Sequence, residues 1–125
     1  MVRARPSPSD PESFLPLPAS ALHIVVALAG GEKHGYAIMR SVEDHTAGTL
    51  KMGAGTLYGT LQRLSDAGWV LEAAAPQAQS VRDEKRRFYR LSDAGREALG
   101  AEVRRLEDLV RLARRSRGVP KPARR

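Results

Sequence analysis

The sequence contains no cysteine, few aromatic residues and no long apolar run. Without cysteine the chain can form no disulfide, no thiolate metal site and no cysteine nucleophile, which suits a reducing cytoplasm. The longest apolar stretch, residues 24–29, is far shorter than the roughly 18 residues that a membrane span needs. At 125 residues, we therefore expect one globular domain in the cytoplasm, with no membrane partner.

Signals for metal binding or catalysis are also missing. The histidines His23, His34 and His45 are each eleven residues apart, which does not match the roughly three-to-five-residue spacing of a zinc pair. No nucleophile elbow is present, and residues 53–55 (Gly-Ala-Gly) lack the later glycine and lysine of a phosphate-binding loop. The sequence thus predicts no metal, no cofactor and no enzymatic activity.

Positive charge is concentrated at the C-terminus. The net charge is +7. Residues 111–125 hold seven basic side chains and no acidic one, so residues 1–110 are neutral overall. A basic tail attracts polyanions whatever fold precedes it, but it can equally serve only to keep the chain soluble. Composition alone therefore does not establish nucleic-acid binding.

Hydrophobic periodicity and breaker residues predict three helices, two strands joined by a basic loop, and a long final helix. Residues 32–35 are expected to form a polar turn between the first two helices. Ser92 is a suitable N-cap for the last helix. The predicted bounds are 19–29 and about 35–46 for the first two helices, 69–73 and 85–91 for the strands, and 92–116 for the long helix. The third helix is predicted within 53–68, with glycines at 53 and 55 at its start and Gly68 just past its end.

This order predicts mainly α structure with a small β-hairpin. Three helices followed by a hairpin are the arrangement of a winged helix-turn-helix, which we place at residues 17–91, with a C-terminal dimerisation helix at 92–116. The proline-rich residues 1–16 lack a hydrophobic signal core and are expected to be a disordered arm. Residues 117–125 are expected to be a basic, disordered tail.

The third helix has two different faces. Leu57, Leu61 and Leu64 recur at steps of four and three and form an apolar stripe. The opposite face carries glycine, short polar groups, an amide and a guanidinium, and it can press closely on a polar surface. In a winged helix this face is free for the major groove, and the basic hairpin tip can reach the neighbouring backbone. An ordinary solvated face is the alternative.

The last helix carries a heptad seam. Leu99, Val103, Leu106, Val110 and Ala113 follow one another at steps of four and three, and Leu109 broadens the stripe. A small domain cannot cover a stripe of this length, so we expect it to pair with the same helix of a second copy. Packing only against its own domain is the alternative.

Three segments closely resemble the PadR family of bacterial transcriptional regulators. They are HGYAI at residues 34–38, GTLYGTLQRL at 55–64 and RFYRLSDAG at 87–95, and the likeness covers roughly residues 17–115. The resemblance implies a homodimeric DNA-binding repressor, with Tyr36, Thr56, Tyr58 and the basic wing on DNA. The family commonly has proline where this chain has Ala54.

We accordingly predict a repressor that binds a pseudo-palindromic operator in double-stranded DNA. A winged-helix module that docks a partner protein through the last helix is the alternative. The predicted DNA contacts are Tyr36, Lys51, Gly55, Thr56, Tyr58, Gly59, Thr60, Gln62, Arg63, Lys85, Arg86 and Arg87.

Regulators of the family that this sequence resembles often respond to small molecules. The candidate effector pocket lies between the first and last helices, although such an aliphatic lining is ordinary core in most proteins. Its predicted lining is Leu22, Val26, Leu99, Val103 and Leu106. The sole tryptophan, Trp69, stands at the start of the hairpin, where we expect it to pack in the core rather than to stack on a drug.

Overall fold

The computed structural model describes residues 17–73, 87–118 and 120, and it confirms a mainly helical fold with a small sheet. No helix within these residues is long and apolar enough to cross a bilayer. The elements in chain order are α1 (Ala19–Ala29), β1 (Lys33–His34), α2 (Gly35–His45), α3 (Ala54–Asp66), β2 (Val70–Ala73), β3 (Phe88–Leu91) and α4 (Asp93–Arg115).

The sheet has three antiparallel strands in the order β1-β3-β2. Val70 pairs with Leu91 in the predicted hairpin, and Lys33 pairs with Tyr89 on the other side of β3. The prediction of a polar turn at residues 32–35 was therefore wrong, since residues 33 and 34 form a strand. So short a strand has no periodicity of its own and exists because β3 offers a free edge.

The core lies between the three short helices, with the sheet and the start of α4 closing it. Ile24 and Leu28 of α1, Ile38 of α2 and Leu57 of α3 are fully or almost fully buried. Trp69 is fully buried beside them, which confirms its predicted place in the core. α1 has almost no polar face, and it accordingly contacts α2, α3, β3 and α4.

Side chains cap two of the helices. His34 Nδ1 accepts a hydrogen bond from the Ala37 amide at 3.1 Å and so begins α2. Ser92 Oγ accepts from the Gly95 amide at 3.0 Å, as predicted for the start of α4, and it donates to the Gly68 carbonyl at 2.5 Å. Gly68 has a φ of 79°, the left-handed conformation expected just after α3.

The first turn of α4 packs directly on the backbone at Trp69. The Ser92 amide donates to the Trp69 carbonyl at 3.0 Å. A Cβ added at Gly95 would lie 3.1 Å from the Trp69 carbonyl carbon and closer still to its oxygen. Gly95 is therefore required for this approach, and it fixes the direction in which α4 leaves the domain.

Glu102 links α4 to the start of α1. Its carboxylate is fully buried, accepts a hydrogen bond from the Leu17 amide at 2.5 Å, and pairs with Arg105 one turn along α4. Burial alone would raise the pKa of Glu102, but the hydrogen bonds from Arg105 and Leu17 outweigh it and hold that pKa below its ordinary value. The carboxylate therefore stays charged and holds residue 17 against the long helix.

Candidate nucleic-acid interface

The two faces of α3 are separated as the sequence predicts. Leu57, Leu61 and Leu64 are buried against the core. The predicted contact residues on the other face are open to solvent, and a Cβ at either of its glycines would meet no atom within 4 Å. These exposed residues are Gly55, Thr56, Tyr58, Gly59, Gln62 and Arg63.

Thr60 is the exception among the predicted contacts on α3. It is only 1% exposed, so its side chain does not reach the outer surface. Thr60 lies three residues after Leu57 and four before Leu64, and this spacing puts it in the apolar stripe despite its hydroxyl. Its Oγ1 accepts a hydrogen bond from Arg63 Nη2 at 3.4 Å. This burial does not favour a direct contact between Thr60 and DNA, and its hydroxyl contacts Arg63 instead.

The start of α2 adds a second polar group to the same region. Tyr36 is 57% exposed, and its ring stacks on His34 with 6.4 Å between ring centroids. Arg40 donates to the Tyr36 hydroxyl at 3.5 Å. That hydrogen bond raises the pKa of Arg40 above its ordinary value, so the guanidinium remains charged beside the tyrosine.

Arg40 was not among the sequence predictions. The signal that could have found it is its position four residues after Tyr36 on the same face of α2. Its guanidinium carbon also lies 6.0 Å from the centre of the Tyr36 ring, within the range of a cation–π contact. Tyr36 and Arg40 thus form one exposed, positively charged unit.

The wing is described only in part. Lys85 and Arg86 lie outside the described residues, so their predicted roles stay predictions. Arg87 stands just before β3 and is exposed, with its Nη1 at 3.4 Å from Glu72 Oε1 on the paired strand. A pair this exposed contributes little to stability, and Arg87 can exchange Glu72 for a phosphate at small cost. Lys51, also exposed, precedes α3.

A small cleft of about 120 Å³ joins the polar face of α3 to the sheet. Tyr58 and Gln62 line it from α3, and Glu72, Arg87 and Tyr89 line it from the wing. Burial raises the pKa of Tyr89, and the charges of Glu72 and Tyr58 add to the effect. The cleft shows that the outer face of α3 and the wing lie side by side.

The outer part of α4 leaves an apolar surface uncovered. Val103, Leu109 and Val110 are all exposed, and Leu106 and Ala113 are only half-buried. An open groove of about 440 Å³ runs along the helix. Its lining is Val103, Leu106, Glu107, Val110, Arg111 and Arg114.

The structure brings together only some of the residues predicted to line the effector pocket. Val103 and Leu106 line the open groove on α4, but the other three predicted residues do not. Leu22 and Leu99 pack against the core, and Val26 is exposed on α1. Leu99 belongs to the part of α4 that packs on its own domain. An effector at this place therefore stays a prediction.

Comparison with known proteins identifies the class to which this fold belongs. The model of the PadR-like transcriptional regulator family matches residues 24–101. Transcriptional regulator Rv3488 of Mycobacterium tuberculosis is 36% identical over 93 residues, which are 74% of this chain and 80% of that protein. The chain therefore belongs to the PadR-like family of transcriptional regulators.

Solved structures share the fold at low sequence identity. A PadR family regulator from Clostridium difficile superposes with a TM-score of 0.65 at 18% identity, over 78% of this chain and 97% of that one. Bacillus subtilis PadR in complex with operator DNA superposes with a TM-score of 0.57 at 20% identity, over 88% of this chain and 55% of that one. These likenesses confirm the winged-helix architecture.

Proposed function

We propose that this chain is a homodimeric, DNA-binding transcriptional repressor of the cytoplasm that recognises a pseudo-palindromic operator. The observation that carries the proposal is the exposed polar face of α3, which lies beside the wing and, through Tyr58, against the first turn of α2, where the Tyr36–Arg40 unit begins. A helix with such a face fits the major groove, and the flanking cations suit the phosphates on either side. The Bacillus subtilis protein in complex with operator DNA, which shares this fold, supports the proposal.

The residues divide into two roles under this proposal. Arg87, Lys51 and the Tyr36–Arg40 unit contact phosphates and fix the position of the protein on the duplex. Thr56 lies in the first turn of α3, where residues of a recognition helix usually meet base edges. Gln62 and Arg63 lie about two turns further along the helix. Each already has a partner, since Gln62 donates to Asp66 at 2.9 Å and Arg63 donates to Thr60 at 3.4 Å.

Under this proposal, the second protomer of the dimer binds through α4. With 23 residues, α4 is about 35 Å long, and its outer half carries the uncovered apolar surface. Pairing these surfaces around a two-fold axis would present two α3 helices to one side of a duplex. Half-sites about one DNA turn apart, or a multiple of it, would then match the dimer. The uncovered surface also fits a different protein, but the family and the exposed face of α3 favour DNA.

Replacing Arg87 with alanine tests the phosphate contact. We expect Arg87→Ala to weaken binding to every duplex alike and to lower the slope of log K against log salt by about 0.9 per lost contact, hence about 2 for a dimer. The measurement is fluorescence anisotropy with duplex DNA from immediately upstream of the coding sequence, over a series of salt concentrations. Arg104→Ala, which removes the same charge from an exposed position on α4 outside the groove, should leave the slope unchanged. An unaltered slope in Arg87→Ala, or no wild-type binding at low salt, contradicts the proposal.

A further inference from the structure

The glycine of the HGY segment has no role in the interface described so far. Gly35 is the first residue of α2 and is buried. The glycines with positive φ among the described residues are Gly31, Gly48 and Gly68, so the backbone at Gly35 is one that other residues adopt. Its lack of a side chain must therefore be explained by its surroundings.

The space beside Gly35 is filled by Tyr58 of α3. A Cβ built on Gly35 would lie 2.9 Å from Cζ and 3.2 Å from Cε1 of Tyr58, and closer still to its hydroxyl oxygen. The phenol end of Tyr58 thus rests directly on the first residue of α2. This contrasts with Gly55 and Gly59, where an added Cβ would meet nothing within 4 Å.

Tyr58 is also held from the side of the wing. It lines the small cleft with Glu72, Arg87 and Tyr89, and it is close enough to Tyr89 to affect the pKa of that phenol. The side chain nevertheless remains 49% exposed. The ring therefore lies where α2, α3 and the sheet meet, with one side open to whatever binds there.

We propose that Gly35 is a positioning residue for DNA binding, because it leaves the space that holds the Tyr58 hydroxyl at the DNA-facing surface. This inference rests on the proposed function. A methyl group at position 35 displaces the Tyr58 ring from its place between α2 and the wing. Gly35 does not touch DNA in this account, and its effect passes entirely through Tyr58.

The effect on stability separates this role from a structural one. The atoms that a Cβ at position 35 would meet are at the far end of a side chain that is half exposed, so the ring can rotate away while the backbone stays in place. Alanine is also a better helix former than glycine. Gly35→Ala should therefore leave the unfolding midpoint in urea unchanged or raise it, while binding to DNA falls.

Four proteins test the inference: the wild type, Gly35→Ala, Tyr58→Ala and the double variant. Their affinities for the upstream duplex are measured by anisotropy. We expect Gly35→Ala to weaken binding about tenfold, since each dimer loses two contacts, and to have less than about a twofold effect in the Tyr58→Ala background. Gly100→Ala, a glycine replacement on α4, should not change the affinity. In ¹³C spectra of the tyrosine rings, the Tyr58 resonance should shift in Gly35→Ala.

The outcomes distinguish this inference from the proposed function. Equal losses in the two backgrounds, unchanged affinity in Gly35→Ala, or an unshifted Tyr58 resonance would each overturn the positioning role of Gly35 while wild-type binding stands. A wild-type chain that binds no duplex contradicts the proposed function instead, and in that case the ring spectra alone still show whether Gly35 positions Tyr58.

Discussion

Val110→Glu is expected to convert the proposed dimer into a monomer and to weaken binding to the proposed operator by about 100-fold or more. Val110 is 49% exposed in the isolated chain and lies in the groove with Val103 and Leu106. In the proposed dimer this surface would be buried, and a carboxylate there would lose much of its hydration, which pairing with Arg114 one turn along the helix would offset only in part. Two linked binding sites commonly exceed the affinity of one by about 10²–10⁴, and the monomer loses this advantage.

Sedimentation velocity and anisotropy with the upstream duplex measure the two effects on the same sample. Arg104→Gln is the matched control, because it lowers the net charge by the same single unit from an exposed position about 120° around α4 from Val110 and outside the groove. This control should remain dimeric and bind normally. A Val110→Glu protein that stays dimeric, or a wild type that is already monomeric, would show that the outer half of α4 is not the dimer interface.

Gly95→Ala is expected to lower the free energy of unfolding by about 1–3 kcal/mol, the range for inserting an atom into a packed site. The atoms that an added Cβ would meet belong to the backbone of Trp69, which cannot rotate away. Either α4 or the start of β2 must shift. Because α4 carries the proposed dimer surface, we also expect a weaker dimer. Urea unfolding at one fixed protein concentration measures the loss.

Gly100→Ala on the same helix should raise the free energy of unfolding rather than lower it. There the nearest atom to an added Cβ is Arg104 Nη1 at 3.7 Å, an ordinary contact. Replacing glycine with alanine within a helix stabilises it by roughly 0.5–1 kcal/mol. If both variants lose stability equally, the close approach of α4 to Trp69 is not the reason that Gly95 is required.

Much of the fold could be predicted from sequence because its signals are local. The leucine steps of α3, the serine at the start of α4 and the glycine after α3 each report a structure made by neighbours in the chain. The wing could be inferred for the same reason, since both its strands are rich in residues that favour β structure. The three segments that resemble the PadR family then indicated the function.

The features that sequence did not reveal depend on contacts between distant residues. Strand β1 exists only through its pairing with β3, more than fifty residues away. Glu102 is buried because it meets the amide of Leu17, and nothing in α4 alone marks it as a core residue. The contact of Gly35 with Tyr58 is of the same kind. Thr60 differs, because its spacing from Leu57 and Leu64 already places it in the buried stripe of α3.

Selection of bound sequences from random duplex DNA tests the central claim most directly. The claim is that two α3 helices of one dimer face DNA together. The wild-type chain at low salt should enrich an inverted repeat with half-site centres about 10 base pairs apart, or a multiple of this. Thr56→Ala should change the enriched bases within each half-site. Enrichment of no sequence, or of one unrepeated motif that Thr56→Ala leaves unchanged, would contradict the account.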